Sequence, residues 1–385
     1  MGLKGQNTTR TKQFNRSLVL QTLLRNGSIS RHQIAQMTNL TRGTITYITS
    51  ELLEEGLIQE QGNLPSEKPG AGRRSVGLTL KEDAVWVIGM HIGMKEVSIG
   101  LVNLNGKVKE VYKTSPSEEF TVKAYLDFLL KELTEYIKKH NSYEVSGIGI
   151  GVIGAVDIHR GIVLGNEQEG WPEIPIVSYL SEHLQLPVFT DNDVSSMTLA
   201  EKMFGQSKHN SDFMCLYIGR SLGAGLVLND ELYRSGISGG GEFGHMTYMP
   251  EGKECWCGNL GCINEYASLE VLAKQLGFPT THNLLNQIDL KDKKILEAVE
   301  DMGEKISVVL TSFINMVHVE KVVVSGSAAH PDLPFVKQLS KHINERSFLA
   351  RMQQVEVVGS QIGEDIEIIG AGGLALLNGV FKNAG

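Results

Sequence analysis

The sequence predicts an α/β protein: an N-terminal winged helix-turn-helix followed by two α/β lobes. Three observations predict it. The first fifty residues contain seven Lys or Arg and no Asp or Glu. Residues 1–80 show helical apolar spacing in three successive segments and then two strand-like runs. From residue 81 onward strands alternate with amphipathic helices, and a unit of strand, glycine turn and strand occurs twice. The expected domains are residues 1–80, a first lobe at 81–190 with a C-terminal helix near 366–385 packing back on it, and a second lobe at 191–365.

In the head, Phe14, Leu18, Leu23 and Leu24 form the apolar face of a first helix that Gly27 ends. Ser30 and Gln33 make a capping-box pair for a short helix with Ile34, Ala35 and Met37 inside. Thr41 caps a longer helix whose buried stripe is Ile45, Ile48, Leu52 and Leu53, and Gly56 stops it. The runs "LIQEQG" and "GRRSVGLTL" are then the strands of a wing. The second helix of such a pair enters the major groove by its N-terminal turn. Its outward residues are Arg42, Thr44, Thr46 and Tyr47, with Arg31 alongside, while Glu51, Glu54 and Glu55 lie at the far end. Arg73 and Arg74 on the wing suit phosphate or minor-groove contact. A three-helix protein-binding module is the alternative.

Charge supports the DNA reading. Residues 1–80 carry ten basic and five acidic side chains and the remainder carries 26 and 39, so a head of +5 sits on a body of −13. With 41% hydrophobic and 21% charged residues among 385, the chain can bury a sizeable core. Its apolar runs are shorter than a membrane span, and "MGLKGQNTTRTKQF" has no apolar signal core. A cytoplasmic protein without a membrane partner is expected.

In the body, "AVWVIGMHI", "EVSIGLVNLNG" and "KVKEVYKT" read as a strand meander, residues 120–140 as an amphipathic helix, and "VSGIGIGVIGAVD" as a buried strand. "FMCLYIGRSLGAGLVLNDELYRS" begins a second such cycle. Two similar halves around a ligand cleft have the actin-like architecture of sugar kinases, a ribonuclease H-like fold. Gly149, Gly151 and Gly154 match G-x-G-x-x-G, but strand and turn residues follow where a dinucleotide site needs a helix. That site is therefore rejected.

Cys255, Cys257 and Cys262 form C-x-C-x4-C, with Gly258 and Gly261 inside and His245 upstream. Three thiolates and one imidazole fill a tetrahedral Zn2+ shell and leave no open position, so the zinc is expected to be structural. Three buried, unligated cysteines are the alternative. Cys215, in a strand, reads as core.

"EFGH" with "CWCGNLGCINE", together with "DNDVSSMTLAE" and "GNEQEGWPEIPIVSYL", resembles the signature segments of the ROK family of repressors, open reading frames and sugar kinases. The resemblance covers the whole body. Joined to a winged helix, it implies a sugar-responsive repressor and is nearest to the family's xylose-responsive repressors of Gram-positive bacteria. Its implied partners are a palindromic operator, D-xylose as inducer and a second copy of the chain. It assigns sugar binding to Asn192, Asp193, Glu242, His245 and Glu265. Carboxylates can accept hydrogen bonds from neighbouring hydroxyls, and an imidazole can give one nitrogen to zinc and the other to sugar.

The same resemblance bears on catalysis. The family's kinases use the position of Asp193 as base and two glycine-rich turns for ATP phosphates. Their first turn reads D-x-G-G-T, whereas this chain has His91, Ile92, Gly93, Met94 and Lys95. Their second, G-T-G-I-G-G-G, is here Gly219, Arg220, Ser221, Leu222, Gly223, Ala224 and Gly225. Phosphoryl transfer depends on positioning and charge stabilisation, so no catalytic residue and no kinase activity are expected. A kinase with an added DNA head is the rival reading, a repressor for a different sugar of the glucose or N-acetylglucosamine type is another, and Lys95 and Arg220 as new phosphate ligands a lesser one.

Overall fold

The computed structural model describes residues 8–64, 75–93, 95–116, 121–165, 172–234, 241–287, 291–327 and 334–382. Arg73, Arg74 and Met94 lie outside them, as do residues 166–171. The chain divides into two compact units, Met1–Phe204 with Asp365–Gly385, and Gly205–Glu364.

The first unit begins with α1 (Thr8–Asn26), β1 (Ile29–Ser30), α2 (Arg31–Thr38), α3 (Arg42–Glu54), β2 (Ile58–Asn63) and β3 (Val76–Leu80). The three strands form a small sheet in the order β1-β3-β2. Ser30 and Gln33 close their capping box reciprocally, with Gln33 N donating to Ser30 Oγ (3.2 Å) and Ser30 N to Gln33 Oε1 (2.9 Å). Thr41 Oγ1 caps α3 by accepting from Thr44 N at 3.2 Å. The buried core is Val19, Leu20, Leu23, Ile34, Ile45, Ile48, Leu52, Ile58, Leu78 and Leu80.

Two residues expected inside are outside: Phe14 is 62% and Met37 56% exposed. The inward face of α1 runs instead through Arg16, Val19, Leu20 and Leu23, which keep helical spacing with one charged member. Arg16 sits in that face because its guanidinium reaches Glu55, with one bond at 2.8 Å. Lys12 Nζ likewise donates to Glu51 at 2.7 Å. The acids at the end of α3 thus bind α1.

The rest of this unit comprises β4 (Trp86–Ile92), β5 (Val97–Asn103), β6 (Val108–Thr114), α4 (Val122–Lys139), β7 (Val145–Val152), β8 (Val156–Asp157), β9 (Ile162–Val163), α5 (Ile176–Leu184), β10 (Val188–Asn192) and α6 (Asp193–Met203). Its sheet runs β10-β7-β4-β5-β6, with β10 and β4 parallel to β7 and the other pairs antiparallel. Ile88, Met90, Ile148 and Ile150 face one way, onto Leu126, Leu129 and Leu133 of α4 and Leu180 of α5. Strand alternation turns Val87, Gly89 and His91 to the opposite face.

In the second unit follow β11 (Phe213–Ile218), β12 (Leu222–Leu228), β13 (Glu231–Leu232), α7 (Asn264–Ala267), α8 (Leu269–Leu276), α9 (Thr281–Gln287), α10 (Lys293–Met316), β14 (Lys321–Ser325), α11 (Phe335–Arg346), α12 (Phe348–Met352) and β15 (Glu356–Gly359). The strand order is β13-β12-β11-β14-β15, again parallel and antiparallel in part. Leu216, Ile218, Leu272, Leu310, Phe335 and Ile343 belong to its core. Cys215 is buried in β11 with Sγ 3.4 Å from Ser325 Oγ, a core residue as its sequence context implies. Among the described residues no helix is long and apolar enough to cross a membrane.

The chain returns to the first unit as α13 (Ile366–Ala375) and a π-helical turn at Leu376–Phe381. Because β10 pairs with β7 and α6 packs against α13, residues 191–204 also stay with this unit. The change of unit falls at 204/205 rather than at 190/191, since β10 completes the first sheet. Helix α1 of the head packs against α6 and the C-terminal turn.

Glycines decide how closely α13 can lie on the sheet. Gly89 and Gly149 are opposite each other in β4 and β7. A Cβ at Gly149 would stand 1.8 Å from Ala371 O, and one at Gly89 2.1 Å from Ile368 O. From the helix side, a Cβ at Gly370 would stand 2.4 Å from Ser196 O on α6. Of the G-x-G-x-x-G match, Gly149 therefore serves helix-on-sheet packing. Gly149→Ala is expected to cost about 3 kcal/mol in urea unfolding, because backbone must move. Gly151→Ala, whose added carbon meets nothing nearer than 3.4 Å, is expected to stay within about 1 kcal/mol of the parent.

Candidate functional site

On the head, Arg42 is exposed at the first position of α3, its guanidinium 3.5 Å from His32 Nδ1. The first turns of α2 and α3 carry no acid. Thr44 Oγ1 lies 2.9 Å from Thr41 Oγ1, and Thr46 Oγ1 donates to Arg42 O at 2.9 Å, so both hydroxyls have local partners. Tyr47 is 56% exposed, with Lys12 Nζ 5.2 Å from its ring centre. Arg31 is more tied down than the sequence implied: Nε donates to Thr49 at 2.9 Å and the head group lies 3.7 Å from Glu60. These contacts join α2 to α3 and β2.

In the second unit, His245, Cys255, Cys257 and Cys262 offer ligand atoms that all lie within 4.8 Å of one another. Cys255 Sγ is 3.5 Å from His245 Nδ1, and Cys257 Sγ is 3.6 Å from Cys262 Sγ. Gly258 and Gly261 turn the chain at φ 87° and 77°. At Gly261 a Cβ would fall 1.7 Å from Met249 O, so only glycine lets the two strands of the knot touch. Burial pushes the Cys255 thiol up to about 12 and raises Cys262 as well. A cation among the sulfurs would reverse that penalty, so the donor set fits a metal ion. Trp256 meets the His245 ring edge-on at 5.0 Å, and Asn259 Nδ2 donates to Cys262 Sγ at 3.4 Å.

Two candidate sugar ligands flank the cluster in sequence. Glu242 immediately precedes the single 3-10 turn Phe243–His245, and its carbonyl accepts from His245 N at 3.0 Å. Glu265 is in the first turn of α7, where its N–H donates to Cys262 O at 3.1 Å. Asn264 Oδ1 accepts from Leu222 N at 2.9 Å, tying α7 to the second glycine turn. In that turn Arg220 is ion-paired with Glu270 at 2.9 Å, and together with Lys274 it holds the Glu270 carboxyl below the usual carboxylate range.

The other two candidates belong to the first unit. Asn192 caps α6, its Oδ1 accepting from Val194 N (3.0 Å) and Ser195 N (3.1 Å) while Nδ2 donates to Gly154 O (3.0 Å). One amide N–H remains for a ligand. Asp193 is buried in the first turn of α6, where the helix dipole favours an anion. Its Oδ2 lies 3.7 Å from His91 Nε2, and His91 Nδ1 lies 3.1 Å from Glu367 Oε2. No sequence pattern joins His91, Asp193 and Glu367; strand alternation and the docking of α13 bring them together.

The fold and these sites define a class: a winged-helix DNA-binding head on a sugar-kinase-like α/β body. The ROK family model matches residues 87–377 and a winged helix-turn-helix DNA-binding model residues 15–59, and the chain belongs to the ROK family. It is 30% identical to the xylose repressor of Caldicellulosiruptor bescii, over 94% of this chain and 96% of that one. It is 27% identical to the N-acetylglucosamine repressor of Escherichia coli O6:H1, over 97% and 96%. A ROK family transcriptional regulator described as a homologue of the Escherichia coli MLC protein superposes with TM-score 0.79 at 26% identity, covering 97% of both chains. A ROK family glucokinase from Streptomyces griseus superposes with TM-score 0.63 at 21% identity, over 74% of this chain and 98% of that one.

The purified protein is expected to hold about one metal ion per chain, and Cys255→Ser to bring that close to zero. Elemental analysis after gel filtration measures both; undiminished metal in the variant would exclude this cluster as the site.

Proposed function

We propose that this chain is a sugar-responsive transcriptional repressor of xylose-utilisation genes, with D-xylose as the inducer that releases it from operator DNA. The observation that carries the reading is the pairing, over nearly the whole length of a xylose repressor, of an acid-free α3 N-terminus bearing Arg42 with a ROK body. Arg42, Thr44, Thr46 and Tyr47 are the residues proposed to face bases and backbone. Arg31 supports them, and Arg73 and Arg74 act from the wing. A homodimer would place two heads on a palindromic operator, since two-fold proteins match two-fold sites. The reading places the protein in the cytoplasm, where its thiols stay reduced.

Asn192, Asp193, Glu242, His245 and Glu265 are the proposed sugar ligands. The metal is proposed to be Zn2+, bound by His245, Cys255, Cys257 and Cys262. It would supply no chemistry beyond fixing the loop that carries His245 and Glu265, because four protein ligands leave no open position. Coupling from sugar to DNA has a physical route: Asp193 opens α6, and α6 packs against α1 of the head. A ligand shifts that contact only by binding one conformation better than another.

Phosphoryl transfer is not part of the proposal. His91 stands at the first turn where kinases of the family carry a carboxylate, and Arg220 in the second is already paired with Glu270. A kinase with a DNA head is the rival, and sugar-dependent ATP turnover would establish it. For the repressor reading, D-xylose is expected to weaken operator binding at least about tenfold in fluorescence anisotropy. Release by N-acetylglucosamine or D-glucose and not by D-xylose would keep the repressor and replace its inducer. Arg42→Ala is expected to weaken operator binding by about 1–3 kcal/mol without changing sugar affinity.

A further inference from the structure

His91 is 7% exposed and points from β4 into the packing between α6 and α13. One ring nitrogen, Nδ1, lies 3.1 Å from Glu367 Oε2 at the start of α13. The other, Nε2, is buried and has no hydrogen-bond partner among the described residues. It lies 3.7 Å from Asp193 Oδ2, close enough for charge attraction and too far for a hydrogen bond. Glu96, in the turn after β4, adds a third negative group. Lys113 on β6 is held by Glu96 at 3.0 Å and is drawn also to Glu367 and Asp365. The imidazole is therefore ringed by carboxylates from three elements, at the N-termini of two helices in two of the three cases.

We propose that His91 is the buried counter-ion of Asp193, a positioning residue that keeps this carboxylate aimed for ligand hydroxyls. The inference rests on the sugar-binding reading of Asp193 for its ligand half, and on geometry alone for the ion pair. A carboxylate buried without a counter-charge carries a desolvation cost. His91 offsets it by standing between Asp193 and Glu367, one ring nitrogen toward each. Burial opposes the charged ring, but Asp193, Glu367 and Glu96 outweigh it and raise the His91 pKa.

The sign of the pH effect follows. A histidine whose folded pKa is raised contributes below its ordinary value of 6.5 and loses that contribution as pH rises through the folded pKa. Ligand affinity that depends on His91 must fall over the same interval.

Two measurements on the full-length chain test this. In NMR of 13C-labelled histidine, assigned with His91→Asn, the His91 resonance is expected to titrate above the other histidines. Asp193→Asn is expected to lower its midpoint by at least about one pH unit. An unchanged midpoint in that variant would overturn the ion pair. In calorimetry, D-xylose affinity of the parent is expected to fall at least about fivefold from pH 6 to pH 9, and to be flat in His91→Gln. The same pH slope in His91→Gln would overturn the positioning role, which a purely structural residue would not govern. If the parent binds no sugar of a panel, the sugar reading fails, while the Asp193-dependent NMR midpoint still decides the ion pair. Should the His91 variants fold poorly, Glu367→Gln is a third probe and is also expected to lower the His91 midpoint.

Discussion

The first unit depends on backbone lying directly against backbone where α13 crosses β4 and β7. Side chains normally keep a helix and a sheet apart; here Gly89 and Gly149 remove them on the sheet side, while Gly370 lets α13 lie against α6. Three consequences follow from that single contact. The start of α13 carries Glu367 to the face of the sheet where His91 emerges. The flank of α13 meets α6, whose first residue is Asp193. The C-terminal turn beyond α13, together with α6, receives α1 of the DNA-binding head.

Electrostatics in this protein is local and internally balanced at the places that matter. His91 is matched by Glu367 and Asp193, Arg220 by Glu270, Arg16 by Glu55 and Lys12 by Glu51. The exposed pairs contribute little to stability, as surface ion pairs generally do. The buried His91 group differs: removing either partner there leaves an uncompensated charge. On α3, by contrast, the paired acids of the last turn leave the first turn with basic and hydroxyl groups only.

Much of the site was legible because its signals are local. Capping residues, the Cys and His spacing and the glycines at positive φ in the metal loop act over a few residues, so a linear reading recovers them. Ser30 with Gln33, Thr41, and the cluster of His245 with three cysteines appear in the structure as the spacing implies. Failures came where a helix chooses its inward face by tertiary contact. Phe14 and Met37 are apolar and exposed, whereas Arg16 is charged and buried, because Glu55 waits for it across the packing of α1 on α3. The limit of the first unit was misplaced for a similar reason. Whether β10 ends one sheet or starts another is decided by pairing with β7, which lies forty residues away in sequence.

By itself the sequence determined the class of head and body and the cluster of metal donors, because each is a matter of residue type at short spacing. It also carried the glycines of β4, β7 and α13, without revealing their purpose. Only the tertiary structure decided that those glycines seat a helix, and that His91 faces both Asp193 and Glu367. Three residues from distant parts of the chain meet there because one strand face, one helix start and a returning C-terminal helix converge. Convergence of that kind is a property of packed backbones in three dimensions, and no spacing along the chain encodes it.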